Sequence, residues 1–350
     1  MLVKLVNHNL THFIEHTHLI PAILTLLYIG LSIYTHYYYL YLLLLLANFL
    51  NVYWGEFKNG ELRDELRFFY RSRVASYLKS VSAVVLLGLI VWGIAFVDRQ
   101  NFSFGYLLGF SMTTGLLTGC FIVTLAHDLL HGRSKFQRGL SVLLLTAAGI
   151  PHFATEHVCG HHRNIGLKED PTTAKLNESF YTYYLKITYL TLKESYFTQY
   201  GLPAYLRRKI LWTNLVMLVL LITVWGLIYV FSSHPTQTLT FFIVQGFVSY
   251  FLYELINYIQ HYGLFRPNRR DEITLQLSWN CYYKYTNYIL FLLPLHSLHH
   301  LPIKNRKITD LKAGPRMPYL YFMMITMALL PPLWFSTMNR LALQYNPERP

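Results

Sequence analysis

Long apolar runs separated by short polar breaks dominate most of this chain. Six runs predict membrane spans, at residues 19–34, 37–53, 78–97, 104–126, 211–231 and 239–258. A helix that crosses a bilayer needs about 20 apolar residues, and the first run is the shortest of the six. The pattern predicts an all-α polytopic membrane protein with six transmembrane helices.

Two further apolar stretches do not fit this set of spans. Residues 140–153 are too few to cross a bilayer comfortably, and residues 317–335 carry Pro331 and Pro332. We expect both to be interfacial, re-entrant or packed against the spanning bundle. The cytoplasmic segments 127–210 and 261–350 then form one histidine-rich cap, and residues 1–350 form a single domain.

The distribution of basic residues predicts the orientation in the membrane. With both termini on one side, the loops on the other side contain only Arg99 of the 30 Lys and Arg residues. Cytoplasmic loops carry the excess of Lys and Arg, so the basic side, with its histidines, is predicted to be cytoplasmic. We expect the inner (cytoplasmic) membrane of a bacterium.

Composition supports the same class of protein. The chain is 53% hydrophobic and 13% charged, whereas a soluble domain is about 25% charged. The net charge of +13 therefore mainly reflects topology, and nucleic acid is not an expected partner. An acidic protein partner is compatible with it.

The cysteines limit the redox chemistry that the chain can supply. Cys120, Cys159 and Cys281 show no C-x-x-C spacing. This excludes a fused rubredoxin or a zinc ribbon. Any electrons for an oxidation must come from a separate carrier.

Histidines cluster beside the predicted spans. Offsets of three and four place side chains on one face of a helix, and neutral imidazole binds iron, copper and zinc. Histidines that serve only as hydrogen-bonding groups are the alternative, but this does not account for three clusters together with the single His261. The nine predicted metal ligands, which we also expect to be the catalytic residues, are His127, His131, His157, His161, His162, His261, His296, His299 and His300.

Nine imidazoles exceed the needs of one metal ion. Zinc takes three or four protein ligands, whereas two ions of higher coordination number share nine and keep positions open for oxygen. Iron suits that ligand set. Four polar residues near the boxes are candidates for orienting the ligands: Asp128, Glu156, Asn257 and Asp170. A solvated acid at a helix start is an equal alternative for Glu156.

Several motifs together resemble a known family. They are H-D-L-L-H at 127–131, E-H-V-C-G-H-H at 156–162, E-D-P at 169–171, N-E-S-F-Y at 177–181, N-Y-I-Q-H-Y-G-L at 257–264, L-H-S-L-H-H at 295–300 and P-P-L-W at 331–334. The chain resembles the membrane alkane 1-monooxygenases, within the membrane di-iron group that includes fatty-acid desaturases and xylene monooxygenase. Desaturases generally have H-x-x-H-H in the second box, so the spacing favours the hydroxylases.

The resemblance implies a desaturase-like fold and two non-haem iron ions held by the histidines. It further implies O₂-dependent hydroxylation of the terminal carbon of an alkane or another alkyl chain, with electrons from a rubredoxin-type donor. The alternative enzyme is a membrane fatty-acid or lipid desaturase. A metal transporter would need polar residues in the middle of the spans, which show few. An inactive homologue conflicts with the presence of all nine histidines.

The chain departs from the family pattern at charged positions. The family's first box has Glu where this chain has Asp128, and the N-Y-x-x-H element has Glu where this chain has Gln260. The last box usually reads R-H-S-D-H-H, whereas Leu295 and Leu298 stand here. We expect these changes to affect the redox potential and the docking of the donor.

Overall fold

The computed structural model describes residues 49–132, 134–198, 201–301 and 310–346. Within these ranges the chain is helical or irregular, with two isolated β-bridges and no strand. The predicted span 19–34 and most of span 37–53 lie outside the described residues, so the count of six stays a prediction. Residues 49–54 are helical up to the predicted end of the second span.

The helices are numbered here in chain order. The first six are α1 (Asn59–Arg71), α2 (Arg73–Asp98), α3 (Phe104–Leu130), α4 (Lys135–Ala147), α5 (Phe153–Thr155, Glu156–His161 and His162–Asn164 without a break) and α6 (Phe180–Lys193). The others are α7 (Ala204–Phe231), α8 (Pro235–His261), α9 (Lys284–Ile289), α10 (His296–His300), α11 (Tyr321–Ala328) and α12 (Pro331–Tyr345).

Four helices of the described residues, α2, α3, α7 and α8, are long and apolar enough to cross a membrane. They contain 26 to 28 residues. At 1.5 Å per residue each is about 40 Å long, more than the ~30 Å hydrocarbon core. They coincide with the last four predicted spans. Two of them continue past the predicted ends. The helix α3 runs to Leu130 where the predicted span ends at residue 126, and α8 runs to His261 where the predicted span ends at residue 258.

Small residues let α3 and α8 approach closely. A Cβ atom added to Gly115 would lie 2.6 Å from Cβ of Val248 and 2.7 Å from the carbonyl oxygen of Gln245. One added to Gly119 would lie 3.1 Å from the carbonyl oxygen of Ser249. Backbones meet at such small-x-x-x-small positions in membrane bundles. The contact fixes the two helices whose ends carry His127 and His261.

Polar side chains join the two helical hairpins at the end opposite the histidines. The backbone N–H of His234 donates to Oδ1 of Asp98 at 2.8 Å. Nε2 of Gln237 donates to the carbonyl oxygens of Val97 at 2.8 Å and Gln100 at 2.7 Å. These bonds satisfy carbonyl groups that the end of α2 leaves without helical partners.

The apolar stretch 140–153 packs against the bundle. It falls largely on α4, which contacts α2 and α3 and ends against the middle of α8. There Nε2 of Gln245 donates to the carbonyl oxygen of Ala147 at 2.8 Å, and Oγ of Ser249 donates to that of Ala148 at 3.0 Å. The stretch 317–335 forms α11 and the start of α12, with Pro331 in the first turn of α12. Neither α11 nor α12 is long enough to span.

Candidate metal centre

The end of α3 carries the first histidine pair. His127 lies in its last turn, and His131 directly follows the last helical residue, Leu130, as the C-cap. Their ring centroids are 5.6 Å apart. Because α3 continues past residue 126, a rigid membrane helix positions both rings.

The second box lies on α5, where the helix changes its winding. Glu156–His161 form a π-helical turn, in which backbone hydrogen bonds join residues five apart. His157 and His162 are therefore neighbours, with Nε2 atoms 2.9 Å apart. The ring of His161 lies 5.5 Å from that of His157, centroid to centroid, but its nitrogen belongs to a different set.

The last box lies on α10, a regular α-helix. His296 and His300, four residues apart, have Nε2 atoms 3.0 Å from each other, whereas His299 joins the set that contains His157. Within each box the outer two histidines share one set and the inner histidine joins the other set. The outer pair of the second box and the outer pair of the last box belong to opposite sets. The second box has one residue more between its histidines than the last box. Because the second box is wound as a π-helix, its three rings nevertheless take the same relative arrangement as those of the last box on an α-helix.

His261 is the final residue of α8, and its Nε2 lies 2.9 Å from Nε2 of His296. The chain reaches His296 through Phe291 and Leu292, which have φ of 52° and 61°. Left-handed backbone costs roughly 1–3 kcal/mol at a residue with a side chain. Both side chains are buried, and this packing sets the direction of the chain just before α10.

All nine histidines meet in two neighbouring groups. Within each group, ring nitrogens from every member lie within 4.8 Å of one another. We call the first the open group, and it contains His127, His131, His157, His162 and His299. We call the second the buried group, and it contains His161, His261, His296 and His300.

The spacing of the ring nitrogens fits metal ligation. Nε2 of His162 lies 2.9 Å from Nε2 of both His157 and His299, and Nε2 of His161 lies 3.2 Å from Nε2 of His300. Nitrogens about 2.1 Å from a shared ion are about 3 Å apart. Nε2 of His127 is buried without a hydrogen-bond partner. A first-row transition ion in each group would use these nitrogens.

Solvent reaches the two groups differently. Every histidine of the buried group is buried. In the open group, His131 is exposed and His162 and His299 are half-buried. One group therefore faces water at the protein surface, and the other is enclosed by protein.

Comparisons with known proteins place this arrangement in a family. The model of the fatty acid desaturase family matches residues 101–302. Alkane 1-monooxygenase 1 of Pseudomonas aeruginosa is 32% identical over 269 residues, which are 73% of this chain and 69% of that protein. Alkane 1-monooxygenase of Acinetobacter baylyi is 32% identical over 289 residues, 78% of this chain and 69% of that protein. The chain belongs to the alkane 1-monooxygenase family.

A more distant relative extends the comparison. The hydroxylase component XylM of the xylene/toluene monooxygenase of Pseudomonas putida is 25% identical over 271 residues, 75% of this chain and 72% of that protein. The alkane 1-monooxygenase family thus stands within the wider desaturase-like group, as the motifs predict. Membership makes this chain an oxygen-dependent hydroxylating oxidoreductase.

Asp170 bonds to one histidine of the buried group. Its Oδ2 lies 3.1 Å from Nδ1 of His161 and accepts from Oγ1 of Thr173 at 2.8 Å. Burial favours the neutral acid, but His161 and the hydrogen bonds outweigh it and lower the pKa of Asp170. The ionised carboxylate holds the proton of His161 on Nδ1 and leaves Nε2 for a metal.

Asp128 contacts a lysine instead of a histidine. Its Oδ2 lies 2.9 Å from Nζ of Lys79 on α2, and both side chains are nearly buried. Nζ of Lys79 also donates to the carbonyl oxygen of Phe69 at 3.1 Å and lies 3.9 Å from the centre of the Phe69 ring. The pair fixes the end of α3 against α2. Sequence analysis missed Lys79, although a lysine at the edge of a predicted span is a usable signal.

The other two candidates, Glu156 and Asn257, do not bond a histidine in the described hydrogen bonds. Nδ2 of Asn257 donates to Oε2 of Glu254 at 3.2 Å. Glu156 is buried, and its Oε1 has no partner. Burial, together with the charges of Glu254 and Asp170, raises the pKa of Glu156 well above its usual value. A solvated helix-start acid is therefore the wrong description of Glu156, because its side chain is buried.

The protein environment keeps the clustered rings neutral. Burial lowers the pKa of His157, His162 and His299 well below the usual value, and neighbouring rings lower it further. The same causes lower the pKa of His296 and His300. Neutral imidazoles offer lone pairs to a metal, so the unprotonated form that ligation needs is already favoured.

The departures from the family pattern lie around the groups. Gln260 is fully buried, and its Nε2 donates to the hydroxyl of Tyr321 at 3.0 Å and to the carbonyl oxygen of Leu293 at 3.3 Å. Its side chain thus faces α11 and the approach to α10. Leu295 is buried, whereas Leu298 is half-buried beside α1.

Proposed function

We propose that this chain is an integral-membrane non-haem di-iron monooxygenase that hydroxylates the terminal carbon of alkanes or other alkyl chains. The convergence of nine histidines from four separate stretches into two adjacent groups carries the proposal. Relatives named alkane 1-monooxygenase support this substrate class over a desaturase substrate. The reaction joins an alkyl C–H, O₂, two electrons and two protons to give an alcohol and water.

Each of the two groups would hold one iron ion. The open group would supply five nitrogens and the buried group four, and bound iron would provide the reactivity toward O₂ that side chains lack. Asp170 holds the His161 ring in the orientation that ligation needs. The Lys79–Asp128 pair holds the end of α3, and with it His127 and His131.

An apolar substrate would arrive from the bilayer. His127 and His261 sit at the ends of α3 and α8, which places both groups at the end of the membrane bundle. An alkane offers no charge to recognise, so the enclosing apolar side chains must align it and exclude water. We predict an apolar channel that leads from the lipid to the groups.

The histidine end is proposed to face the cytoplasm of a bacterium. Arg73 at the start of α2 and Arg207 and Arg208 near the start of α7 lie at this end, whereas Arg99 lies at the other. Basic residues concentrate on the cytoplasmic side of membrane proteins.

A separate rubredoxin-type protein is proposed to supply the electrons. The three cysteines of the chain show no C-x-x-C spacing, so the chain cannot hold a cluster of the rubredoxin kind itself. The open group, with exposed His131 and half-buried His299, is the accessible entry point.

Metal analysis and product identification together test the proposal. The purified chain should contain two iron ions, and cells that express it should convert alkanes, alkyl aromatics or fatty acids to terminal alcohols. With ¹⁸O₂, the new hydroxyl should carry the label. An alkene from the same alkyl chain would instead establish the desaturase alternative, and an iron-free active protein would contradict the proposed centre.

A further inference from the structure

A network of buried polar side chains lies beside the buried group. Ser278, Asn280 and Ser297 form it, and none of them is more than 1% exposed. Buried polar groups cost free energy unless they are hydrogen-bonded, so a complete network of this kind fixes the packing around it. Ser297 lies in α10, and the other two residues lie between α8 and α9. The network therefore joins two parts of the chain that carry rings of the buried group.

The amide of Asn280 binds the first turn of α10. Its Oδ1 accepts from the backbone N–H of Ser297 at 3.0 Å, and its Nδ2 donates to Oγ of Ser297 at 2.7 Å. Ser297 is the second residue of α10, where the helix itself offers no acceptor for the N–H. Leu295, which precedes the helix, makes no capping bond. Asn280 thus supplies the capping bond of α10 from 17 residues away.

The same two side chains are bonded to the surrounding backbone. Oγ of Ser297 lies 2.7 Å from the carbonyl oxygens of both Leu275 and Ser278. Nδ2 of Asn280 lies 3.0 Å from the carbonyl oxygens of both Ser278 and Pro315. The backbone N–H of Asn280 also donates to the carbonyl oxygen of Pro315, at 2.8 Å. Both polar atoms of the Asn280 side chain are therefore bonded, and its position is fixed.

Ser278 connects the network to a ring of the buried group. Its Oγ lies 3.4 Å from Nδ1 of His261, and Nε2 of His261 lies 2.9 Å from Nε2 of His296. A hydroxyl that accepts from Nδ1 keeps the proton there and leaves Nε2 for a metal. Asp170 acts in the same way on Nδ1 of His161. Two of the four rings of the buried group are thus oriented through Nδ1.

His296 and His300 have no comparable bond. Among the described residues, Nδ1 of either ring has no hydrogen-bond partner. Both rings therefore depend on the position of α10, which has only five residues. A helix of this length is not stable by its own hydrogen bonds, so contacts with the rest of the protein must hold it. The two bonds from Asn280 act at its first turn.

We propose that Asn280 is the positioning residue of the buried group. Through Ser297 it fixes the position of α10, and with it the distance of the His296 and His300 rings from the ring of His261. The inference rests on the proposed function, because a positioning role has meaning only where the group holds a metal ion. The amide bonds no histidine ring in the described hydrogen bonds, so it acts on the ligands through α10.

A matched pair of buried asparagines tests this role. Asn280→Leu removes the amide from the network at nearly constant volume. Asn287→Leu is the control, because Asn287 is also fully buried and its Nδ2 also bonds two backbone carbonyl groups, those of Cys281 at 2.8 Å and Tyr283 at 2.9 Å. The Asn287 side chain bonds no residue of a histidine box in the described hydrogen bonds.

The measurement is metal binding by the metal-free full chain. Each purified protein is titrated with Co²⁺ in detergent, and its thermal unfolding is followed on the same samples. Four-coordinate Co²⁺ absorbs visible light more strongly than Co²⁺ with five or six ligands, so the two groups give separate signals. Asp170→Asn, which acts on the same group through His161, assigns the signal of the buried group.

Asn280→Leu should raise the Kd of the buried-group ion roughly 10–100-fold, the usual effect of losing an outer support of a ligand, and leave the Kd of the open-group ion unchanged. Asn287→Leu should lower the unfolding temperature to a similar extent and keep both wild-type Kd values. A purely structural role cannot produce this selectivity. A wild-type ratio of the two Kd values in Asn280→Leu, or the same selective loss in the control, would overturn the proposal.

Ser297→Ala provides a second test that holds even where Asn280→Leu does not fold. It removes the hydroxyl that accepts from Nδ2 and leaves the backbone N–H bonded to Oδ1, so the selective rise in Kd should be present but smaller. Unchanged Kd values in Ser297→Ala would contradict the proposal. A wild-type chain that binds no Co²⁺ would overturn the metal centre itself. Two bound ions without selective loss would overturn only the role of Asn280.

Discussion

The two histidine groups offer the same ligand type in different surroundings. The buried group has four rings and no exposed member, and Asp170 bonds directly to the ring of His161. The open group has five rings, one of them exposed, and its carboxylate Asp128 bonds to Lys79 on another helix. In the buried group the carboxylate holds a histidine ring directly. In the open group the carboxylate holds the end of α3, the helix that carries His127.

This difference indicates a division of roles. A group of four buried histidines has no ring to spare, so it suits a permanently held ion. A five-ligand group at the surface tolerates the movement of its exposed member and meets partners and small molecules. The following variants test that division, from the largest expected effect to the smallest.

His300→Ala should abolish both iron loading and oxidation. It leaves three histidines in the buried group, one fewer than a structural metal site usually uses. Iron content and product formation are the measurements. His152→Ala is the matched control, because His152 lies close to the second box on the sequence but outside both groups. A His300→Ala protein with two irons and wild-type turnover would remove His300 from the centre.

Lys79→Met should destabilise the fold by about 3–5 kcal/mol, because it leaves the charge of Asp128 unpaired among apolar helices. Thermal unfolding in detergent measures this loss. Lys284→Met is the control, since the Lys284–Glu61 pair is more exposed and is worth at most about 1 kcal/mol. Equal losses in the two variants would show that the Lys79–Asp128 pair does not anchor the open group.

Gln260→Glu should lower stability by about 1–3 kcal/mol, because a carboxylate cannot donate to the carbonyl oxygen of Leu293. Gln276→Glu, an exposed glutamine that donates to Ala313, is the control. Unchanged stability with altered rubredoxin KM would contradict this expectation.

Asp170→Asn should reduce iron affinity or turnover roughly 10–100-fold, the usual effect of losing a carboxylate that orients a histidine ligand. The reduction should appear as loss of iron from the buried group. Glu169→Gln is the control, because Glu169 is the neighbouring acid and is exposed. Iron binding and turnover that match wild type in Asp170→Asn would show that the buried group does not depend on its carboxylate.

His131→Ala should have the smallest effect on iron content. Four histidines remain in the open group, as many as a structural metal site uses. Iron content should stay near two per chain, and turnover should fall less than in Asp170→Asn. Complete loss of iron would show that the exposed ring is as necessary as the enclosed ones, and the proposed division of roles would be wrong.

Local patterns of the chain predict the larger features well. The apolar runs at 78–97, 104–126, 211–231 and 239–258 all correspond to long helices, since hydropathy is summed over neighbouring residues. The apolar run 104–126 leads directly into His127, which predicts that the helix continues through it, and α3 does include His127. Hydropathy alone ends the last span at residue 258, whereas α8 continues to His261, whose ring meets histidines from other boxes that no local window includes.

The arrangement of the second box shows the limit of spacing arguments. An offset of four predicts that His157 and His161 share a face on an α-helix, but the π-helical turn pairs His157 with His162. Convergence with His299 from α10 accompanies this winding. Lys79 was missed for the same reason, since its partner Asp128 lies on another helix.

The sequence by itself determined the membrane class, the nine candidate ligands and their resemblance to a family, because residue type and near-neighbour spacing are properties of the chain. Tertiary structure decided that five rings form one group and four the other, which of them water reaches, and which acid bonds a ring. Those features depend on contacts between residues far apart along the chain, where packing and burial determine the distances.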